Sequence, residues 1–170
     1  MKYQVAYFSR TGNSEKLARG IITAFSPQDV TLVDLAKEEV SREASTYILC
    51  FGMVKGEIPI RIIDTLDYLD GKTVLFLVTC GREPTDDYRR YIMRRIDPFL
   101  PDNCESLDLF LCSGAFSKEL YGRAVEKLHS DPESNHAKAA VERYETVMGH
   151  PDENDIADAS AFLRKTLRLP

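Results

Sequence analysis

The chain has 170 residues, which is enough for one domain with a sizeable hydrophobic core. Hydrophobic residues make up 44% of it and charged residues 29%, a composition typical of globular proteins rather than of disordered or membrane-spanning chains. The formal net charge of −5 argues against nucleic acid as a partner, because binding to a phosphate backbone requires a concentrated positive field.

Targeting signals and cysteine usage bear on the compartment. The N-terminal residues do not predict a signal peptide, and no apolar stretch reaches the ~20 residues that cross a bilayer. The four cysteines, Cys50, Cys80, Cys104 and Cys112, form no CxxC pair and no metal-ligand spacing with the three histidines. We therefore expect a cytoplasmic, thiol-reduced protein with no membrane partner and no metal site.

Short apolar segments alternate with segments of helical periodicity from the N-terminus onward. Strands are predicted at residues 3–9, 30–35, 46–52, 73–79 and 107–114. Helices are predicted between Ser14 and Pro27, between Pro59 and Gly71, and at residues 86–99. Because near-continuous apolar strands separated by amphipathic helices favour a parallel sheet with helices on both faces, we predict an α/β fold.

The last part of the chain is predicted to be entirely helical, at residues 120–129, 137–148 and 152–167. The third of these helices follows the stretch HPDE, with Pro151 at its start and two acids in its first turn. No repeat, linker or low-complexity segment interrupts the sequence. We therefore predict one domain over residues 1–170, with residues 118–170 as a helical C-terminal extension.

Ligands of open parallel sheets bind beyond the carboxyl ends of the strands, where the strand order reverses. The candidate site therefore consists of the loops at residues 9–14, 53–59 and 80–85. In the first loop, SRTGNS, Gly12 lets the backbone approach a ligand, and the start of the next helix favours an anion. The same loop is also compatible with a turn closed by a capping box, in which Thr11 or Gly12 precedes the helix.

The stretch AYFSRTGNSEKLA, residues 6–18, resembles the phosphate loop of the flavodoxin family, whose usual form is Thr/Ser-x-Thr-Gly-x-Thr/Ser after the first strand. The matching positions are Ser9, Thr11, Gly12 and Ser14, with Asn13 a common occupant of the variable position and Arg10 outside the motif. The resemblance implies a flavodoxin-like three-layer sandwich, with a five-stranded parallel sheet of order 2-1-3-4-5. It also implies non-covalent binding of FMN, with the hydroxyl and amide groups of this loop donating to its phosphate.

Two further stretches extend the resemblance. Residues 50–59, CFGMVKGEIP, are similar to the flavodoxin segment that covers one face of the isoalloxazine ring, and residues 79–88, TCGREPTDDY, correspond to the segment that contacts the pyrimidine. The resemblance assigns flavin contacts to Met53, Val54, Lys55, Gly56, Glu57, Thr79, Cys80, Gly81 and Tyr88. Gly56 and Glu57 would contact the flavin N5 and N3 positions. Gly56 is alternatively a turn glycine, and Tyr88 alternatively a packing residue in a first helical turn.

The second loop departs from the family pattern, because no Trp or Tyr lies in residues 52–59. Lys55 and Arg82 instead bring cations to the predicted flavin site. A cation near N1 stabilises the anionic reduced flavin, since unit charges at close range interact by about 4 kcal/mol at an effective dielectric constant of ~20. We therefore expect a less negative hydroquinone potential than is usual for the family.

The resemblance implies an electron-transfer protein that shuttles electrons between a reductase and an acceptor enzyme as its redox partners. The tail with HPDE is similar to a flavodoxin subgroup associated with bilirubin reduction. The alternative is a small FMN-dependent NAD(P)H:acceptor oxidoreductase of the same fold, and a third hypothesis is a flavin-free binding module. No side chain at the loops is assigned a catalytic role, and the oligomeric state is left open.

Overall fold

The computed structural model describes residues 2–170, and five parallel strands form its centre. The strands are β1 (Tyr3–Phe8), β2 (Val30–Asp34), β3 (Thr46–Gly52), β4 (Thr73–Cys80) and β5 (Glu105–Ser113). They lie in the order β2-β1-β3-β4-β5, and each neighbouring pair is parallel. The α/β fold class and the predicted strand order are therefore confirmed.

Helices cover both faces of the sheet. They are α1 (Asn13–Ile21), α2 (Ile60–Leu66), α3 (Asp86–Ile96), α4 (Lys118–Ser130), α5 (Asn135–Thr146) and α6 (Glu153–Leu167), with short 3₁₀ turns at Ile22–Ala24 and Asp97–Phe99. The second helix is shorter than predicted, because i→i−3 hydrogen bonds, such as Leu69 N–H to the carbonyl of Leu66, replace the α-helical pattern. Within residues 2–170, no helix has the length and apolar character that a bilayer crossing requires.

The hydrophobic core lies in two layers, one on each face of the sheet. Along β3, Leu49 and Phe51 pack towards α2 and α3, whereas Ile48 and Cys50 pack towards α1 and α6. All four side chains are fully buried. This burial on both faces explains why the strand is an uninterrupted apolar run instead of an alternating one.

The helical tail divides between two places. Helix α6 completes the layer beside α1, where a Cβ added to Gly20 would lie 2.7 Å from Cγ2 of Ile156. In contrast, α4 has no buried residue and α5 has only Ala137. We call residues 118–146 the α4–α5 hairpin; it lies at the periphery, between β5 and a final helix that belongs to the core.

The HPDE stretch begins α6 through a reciprocal capping box. Oδ1 of Asp152 accepts hydrogen bonds from the backbone N–H groups of Asn154 (2.9 Å) and Asp155 (3.0 Å), and Oδ2 of Asp155 accepts from the backbone N–H of Asp152 (2.7 Å). The donating N–H of Asp155 lowers the pKa of the Asp152 carboxyl. His150 Nδ1 lies 2.6 Å from Oδ2 of Asp155. These polar groups are thus paired with one another at the helix start.

Candidate functional site

A cavity of about 840 Å³ opens at the carboxyl ends of β1, β3 and β4. The strand order reverses here, since the chain passes from β1 to β2 on one side and then to β3 on the other. Ten of the predicted site residues line this cavity: Arg10, Thr11, Ser14, Met53, Val54, Lys55, Gly56, Thr79, Gly81 and Tyr88. The remaining five, Ser9, Gly12, Asn13, Glu57 and Cys80, lie next to it in the same loops.

The first loop leaves the N-terminus of α1 without a side-chain cap. Gly12 is the N-cap residue, and its left-handed backbone (φ 88°) is one that glycine adopts without strain. Ser9 shapes the turn, because its Oγ accepts the backbone N–H of Gly12 at 3.0 Å. The capping-box alternative is therefore wrong for this helix. Its first N–H groups have no intrahelical acceptor and remain available to an anion.

Two hydroxyl groups form the floor of the cavity. Ser14 and Thr79 are both buried, and their Oγ and Oγ1 atoms are 3.2 Å apart. Gly52 makes room for this pair, since a Cβ at Gly52 would lie 3.1 Å from Oγ1 of Thr79. Thr11 and Arg10 are exposed at the rim. The loop thus presents one hydroxyl and one guanidinium group at the rim and one hydroxyl group at its base.

The side chain of Asn13 has a protein partner that the motif does not predict. Its side-chain Nδ2 donates to the backbone carbonyl of Ala115 at 2.7 Å, a residue 102 positions later in the sequence. The amide therefore joins α1 to the segment after β5, whereas the motif predicts a donor pointing at the ligand. Sequence spacing could not reveal this partner, because the contact forms only when both segments reach the same edge of the sheet.

The second loop is a tight backbone hairpin. Val54 and Glu57 exchange two backbone hydrogen bonds of 2.9 and 3.0 Å. Between them, Lys55 (φ 53°) and Gly56 (φ 82°) are both left-handed, as a two-residue type I′ turn requires. Gly56 is therefore a turn glycine and also lines the cavity, while its contact with the flavin stays a prediction.

Helix α3 holds this hairpin from outside the cavity. The carboxylate of Glu57 forms an ion pair with Arg95, and the hydroxyl of Tyr91 donates to the carbonyl of Gly56 at 3.5 Å. The carboxylate predicted to contact the flavin is thus bound to α3 in this structure. Arg95 lies 38 positions away from Glu57, and no local pattern predicted the pair.

The third loop places an aromatic ring in the cavity wall. Tyr88 lies in the first turn of α3, where its backbone N–H donates to Oγ1 of the N-cap residue Thr85. Its ring stacks on Tyr91 with centroids 5.7 Å apart and an interplanar angle of 11°. The guanidinium of Arg82 lies 4.8 Å from the centroid of Tyr88. Tyr88 therefore packs against Tyr91 of the same helix and also lines the cavity.

The thiol of the third loop is buried. Cys80 is buried, and its Sγ donates to the carbonyl of Arg82 at 3.3 Å. Burial raises the pKa of this thiol to about 11, so that it stays protonated at neutral pH. The structure therefore gives Cys80 a packing role behind the cavity wall.

The α4–α5 hairpin and the segment before it supply a further wall that the sequence did not predict. Its residues are Phe116, Ser117, Glu119, Leu120 and Arg143. Since the segment after β5 emerges at the same edge of the sheet, Phe116 could have been found by the rule that identified the other loops. No sequence rule predicted Arg143, because it reaches the cavity from α5 and not from a loop that follows a strand.

The cavity wall is rich in cations, although the whole chain has a net charge of −5. Arg10, Lys55, Arg82 and Arg143 contribute four positive groups from four separate segments. Glu119 is the acidic residue of the wall, and its carboxylate forms an ion pair with Arg123. The local field therefore favours an anionic ligand.

Sequence comparison identifies relatives over nearly the whole chain. A family model described as a flavodoxin domain matches residues 4–164. The flavodoxin-like domain-containing protein BilS of Clostridioides difficile (strain CD3) is 27% identical, covering 98% of this chain and 97% of the relative. BilS of Clostridium symbiosum (strain WAL-14163) is also 27% identical, with coverages of 96% and 94%.

Solved structures agree with the sheet topology. Oxidised flavodoxin 2 from Bacillus cereus superposes with a TM-score of 0.57 at 20% identity, and 99% of each chain is covered. A short-chain flavodoxin associated with a non-canonical PDU bacterial microcompartment gives a TM-score of 0.52 at 17% identity, with coverages of 85% and 99%. At these identities the likeness shows the fold.

Proposed function

Because the chain belongs to the flavodoxin family, whose members typically bind a flavin, we propose that it binds FMN non-covalently in the cavity and carries electrons between a reductase and an acceptor enzyme. The observation that carries this proposal is the convergence of three loops, after β1, β3 and β4, on one cavity beside an uncapped helix. The protein partners would be a redox donor and a redox acceptor, and the compartment would be the cytoplasm.

The phosphate group fits the first loop. Its charge would lie at the N-terminus of α1, where the uncapped N–H groups and the helix dipole favour an anion. Thr11 would donate a hydroxyl hydrogen bond from the rim, and Arg10 would add a positive charge. Ser14 would stabilise the floor through its contact with Thr79. These groups cost little reorganisation, because the loop is already held by the bond from Gly12 to Ser9.

The isoalloxazine ring fits between the second and third loops. Met53, Val54 and Gly56 would contact the ring from the second loop, and Tyr88 would add aromatic surface from α3. FMN supplies one- and two-electron redox chemistry when it is bound. The residues of the chain would orient the ring, exclude water from part of it, and set its potential through the charges of Lys55 and Arg82.

A titration with FMN tests the proposal. We expect the flavin fluorescence to be quenched on addition of the flavin-free protein, with a shifted visible spectrum of the bound form. Riboflavin, which lacks the phosphate, is the matched control ligand and should bind more weakly because the first loop then has no anion. A protein that changes neither the spectrum nor the fluorescence of FMN would contradict the proposal.

A direct NAD(P)H:acceptor oxidoreductase is the second candidate, since the wall from the α4–α5 hairpin enlarges the cavity. Its volume of about 840 Å³ is near the upper end of the range for ligand pockets, about 300–1,000 Å³. Anaerobic mixing of the FMN-bound protein with NAD(P)H separates the two functions. Rapid bleaching of the flavin indicates the oxidoreductase, and bleaching only after a separate reductase is added indicates the carrier.

A further inference from the structure

The four cations of the cavity wall lack carboxylate partners. Among residues 2–170, none of Arg10, Lys55, Arg82 and Arg143 forms an ion pair, and the same is true of most other Lys and Arg side chains. The unpaired groups come from three loops and from α5, yet they line one cavity. What distinguishes the four is their location, since they surround one cavity of a chain that is acidic overall.

One bound FMN does not account for all of this charge. Its phosphate carries at most about two negative charges at neutral pH and would occupy the first loop with Arg10 and the start of α1. Lys55 and Arg82 flank the predicted ring site. Arg143 belongs to none of the three flavin loops, since it is supplied by the α4–α5 hairpin. It is therefore the cation that the proposed function leaves without a role.

The guanidinium group of Arg143, which is exposed, lies near two aromatic rings. It lies 5.3 Å from the centroid of Phe116 and 5.7 Å from that of Tyr144, and the two rings are 4.2 Å apart. Stacking on a ring restrains the plane of a guanidinium but leaves its N–H edge free. That edge is the group that binds a carboxylate with two parallel hydrogen bonds. Arg143 therefore offers an anion a guanidinium group beside aromatic surface.

Apolar surface adjoins this cation. The wall that contains Arg143 also contains Phe116 and Leu120, and 42% of Leu120 is exposed. The wall is concave, which favours a small molecule over the convex surface of a protein. A ligand that uses both features has an apolar body and a carboxylate.

We propose that the α4–α5 hairpin and the preceding Phe116 form a second binding site of the cavity, which takes a small organic carboxylate next to bound FMN. Arg143 would bind the carboxylate, and Phe116 and Leu120 would provide the apolar surface. The proposal rests on the proposed function, because it assigns to FMN the remainder of the cavity. The second site would determine which small molecule binds beside FMN, and it lies in a part of the chain outside the phosphate-loop motif. The bound compound would be a small reactant or effector of the flavoprotein.

The probe is 2-naphthoate, and naphthalene-2-carboxamide is its uncharged analogue of nearly the same shape. Both are titrated calorimetrically into the protein saturated with FMN. We expect the naphthoate to bind at least tenfold more tightly than the amide, and Arg143→Gln to remove about that factor. Lys138→Gln, which removes a positive charge from the same helix outside the cavity wall, should leave naphthoate binding unchanged.

Equal binding of the naphthoate and the amide would overturn the site. Equal losses in Arg143→Gln and Lys138→Gln would also overturn it, as would competition between naphthoate and FMN for the same space. FMN binding is measured separately by its absorption. If FMN does not bind while naphthoate binding still depends on Arg143, the proposed function fails and the anion site is supported. If FMN binds and naphthoate does not, the proposed function stands and the second site is refuted.

Discussion

The ring of Phe116 packs directly on the backbone of Gly81, since a Cβ added there would lie 2.3 Å from Cζ of the ring. This contact joins the third loop to the wall formed by the α4–α5 hairpin. Gly81→Ala should displace the ring and weaken FMN binding roughly 5–30-fold, or about 1–2 kcal/mol, as overpacking does elsewhere. Fluorescence titration measures the change.

The control for Gly81→Ala is the removal of the ring. Phe116→Leu frees the space in front of Gly81, so that the double variant Gly81→Ala/Phe116→Leu should bind FMN no more weakly than Phe116→Leu alone. If the two substitutions simply add, the contact between Gly81 and Phe116 does not cause the loss.

Thr11 and Ser14 should separate ligand binding from folding. Thr11 is exposed at the cavity rim, so that Thr11→Ala should weaken FMN binding without changing the free energy of unfolding of the flavin-free protein. Ser14 is buried on Thr79, and Ser14→Ala should also lower that free energy by about 1 kcal/mol. Urea unfolding and FMN titration of both variants test this. If Thr11→Ala and Ser14→Ala lower the free energy of unfolding equally, the first loop is a structural turn and not a phosphate site.

The close approach of α1 and α6 predicts a stability change away from the site. Gly20→Ala would bring a Cβ to within 2.9 Å of three carbon atoms of Ile156, and should lower the free energy of unfolding by about 1–3 kcal/mol. A Cβ added to Gly122, in α4, would have no neighbouring atom within 4 Å, so Gly122→Ala should stabilise the protein by up to about 1 kcal/mol. If urea unfolding shows that Gly20→Ala and Gly122→Ala change the free energy of unfolding in the same direction, this difference in packing is contradicted.

The unpaired cations predict the redox behaviour of the bound flavin. Arg82→Gln removes a charge that stabilises the reduced flavin, so the hydroquinone potential should become more negative. A loss of about 1 kcal/mol in a one-electron step corresponds to a shift on the order of 40 mV. Potentiometric titration of the FMN-bound variants measures it. Arg123→Gln is a poor control, because it frees Glu119 in the wall. Arg164→Gln, on the core helix α6, is preferable and should not shift the potential.

Buried thiols predict an alkaline limit to stability. Burial raises the pKa of Cys80 from 9.0 to about 11, whereas the unfolded chain loses this proton near the lower value. The unfolded state therefore binds fewer protons above pH 9, and the contribution of this thiol to stability is lost as the pH rises from 9 to 11. Cys80→Ala should lose less stability over this interval in urea unfolding at pH 8, 9, 10 and 11. If Cys80→Ala loses as much unfolding free energy between pH 9 and 11 as the unchanged protein does, the raised pKa of Cys80 is not the cause of the loss.

Local patterns in the sequence predicted the strands and three of the cavity walls, and the resemblance of residues 6–18 to the flavodoxin phosphate loop implied the strand order. In β3, Leu49 and Phe51 are buried on one face of the sheet and Ile48 and Cys50 on the other, which the uninterrupted apolar run predicts. Each loop follows directly from the end of its strand. The positions of Asn13, Glu57 and Arg143 depend instead on partners far along the chain, at Ala115, Arg95 and Phe116. Such pairs form through tertiary packing, and periodicity carries no information about them.

The small buried area of the α4–α5 hairpin has a consequence for how this protein can diversify. Only Ala137 of its two helices is buried, whereas the core helix α6 follows independently of them. Substitutions in the hairpin should therefore cost little folding free energy, although they alter a wall of the cavity directly. Evolution can change what enters the cavity by exchanging this segment, while the sheet and the phosphate loop stay constant.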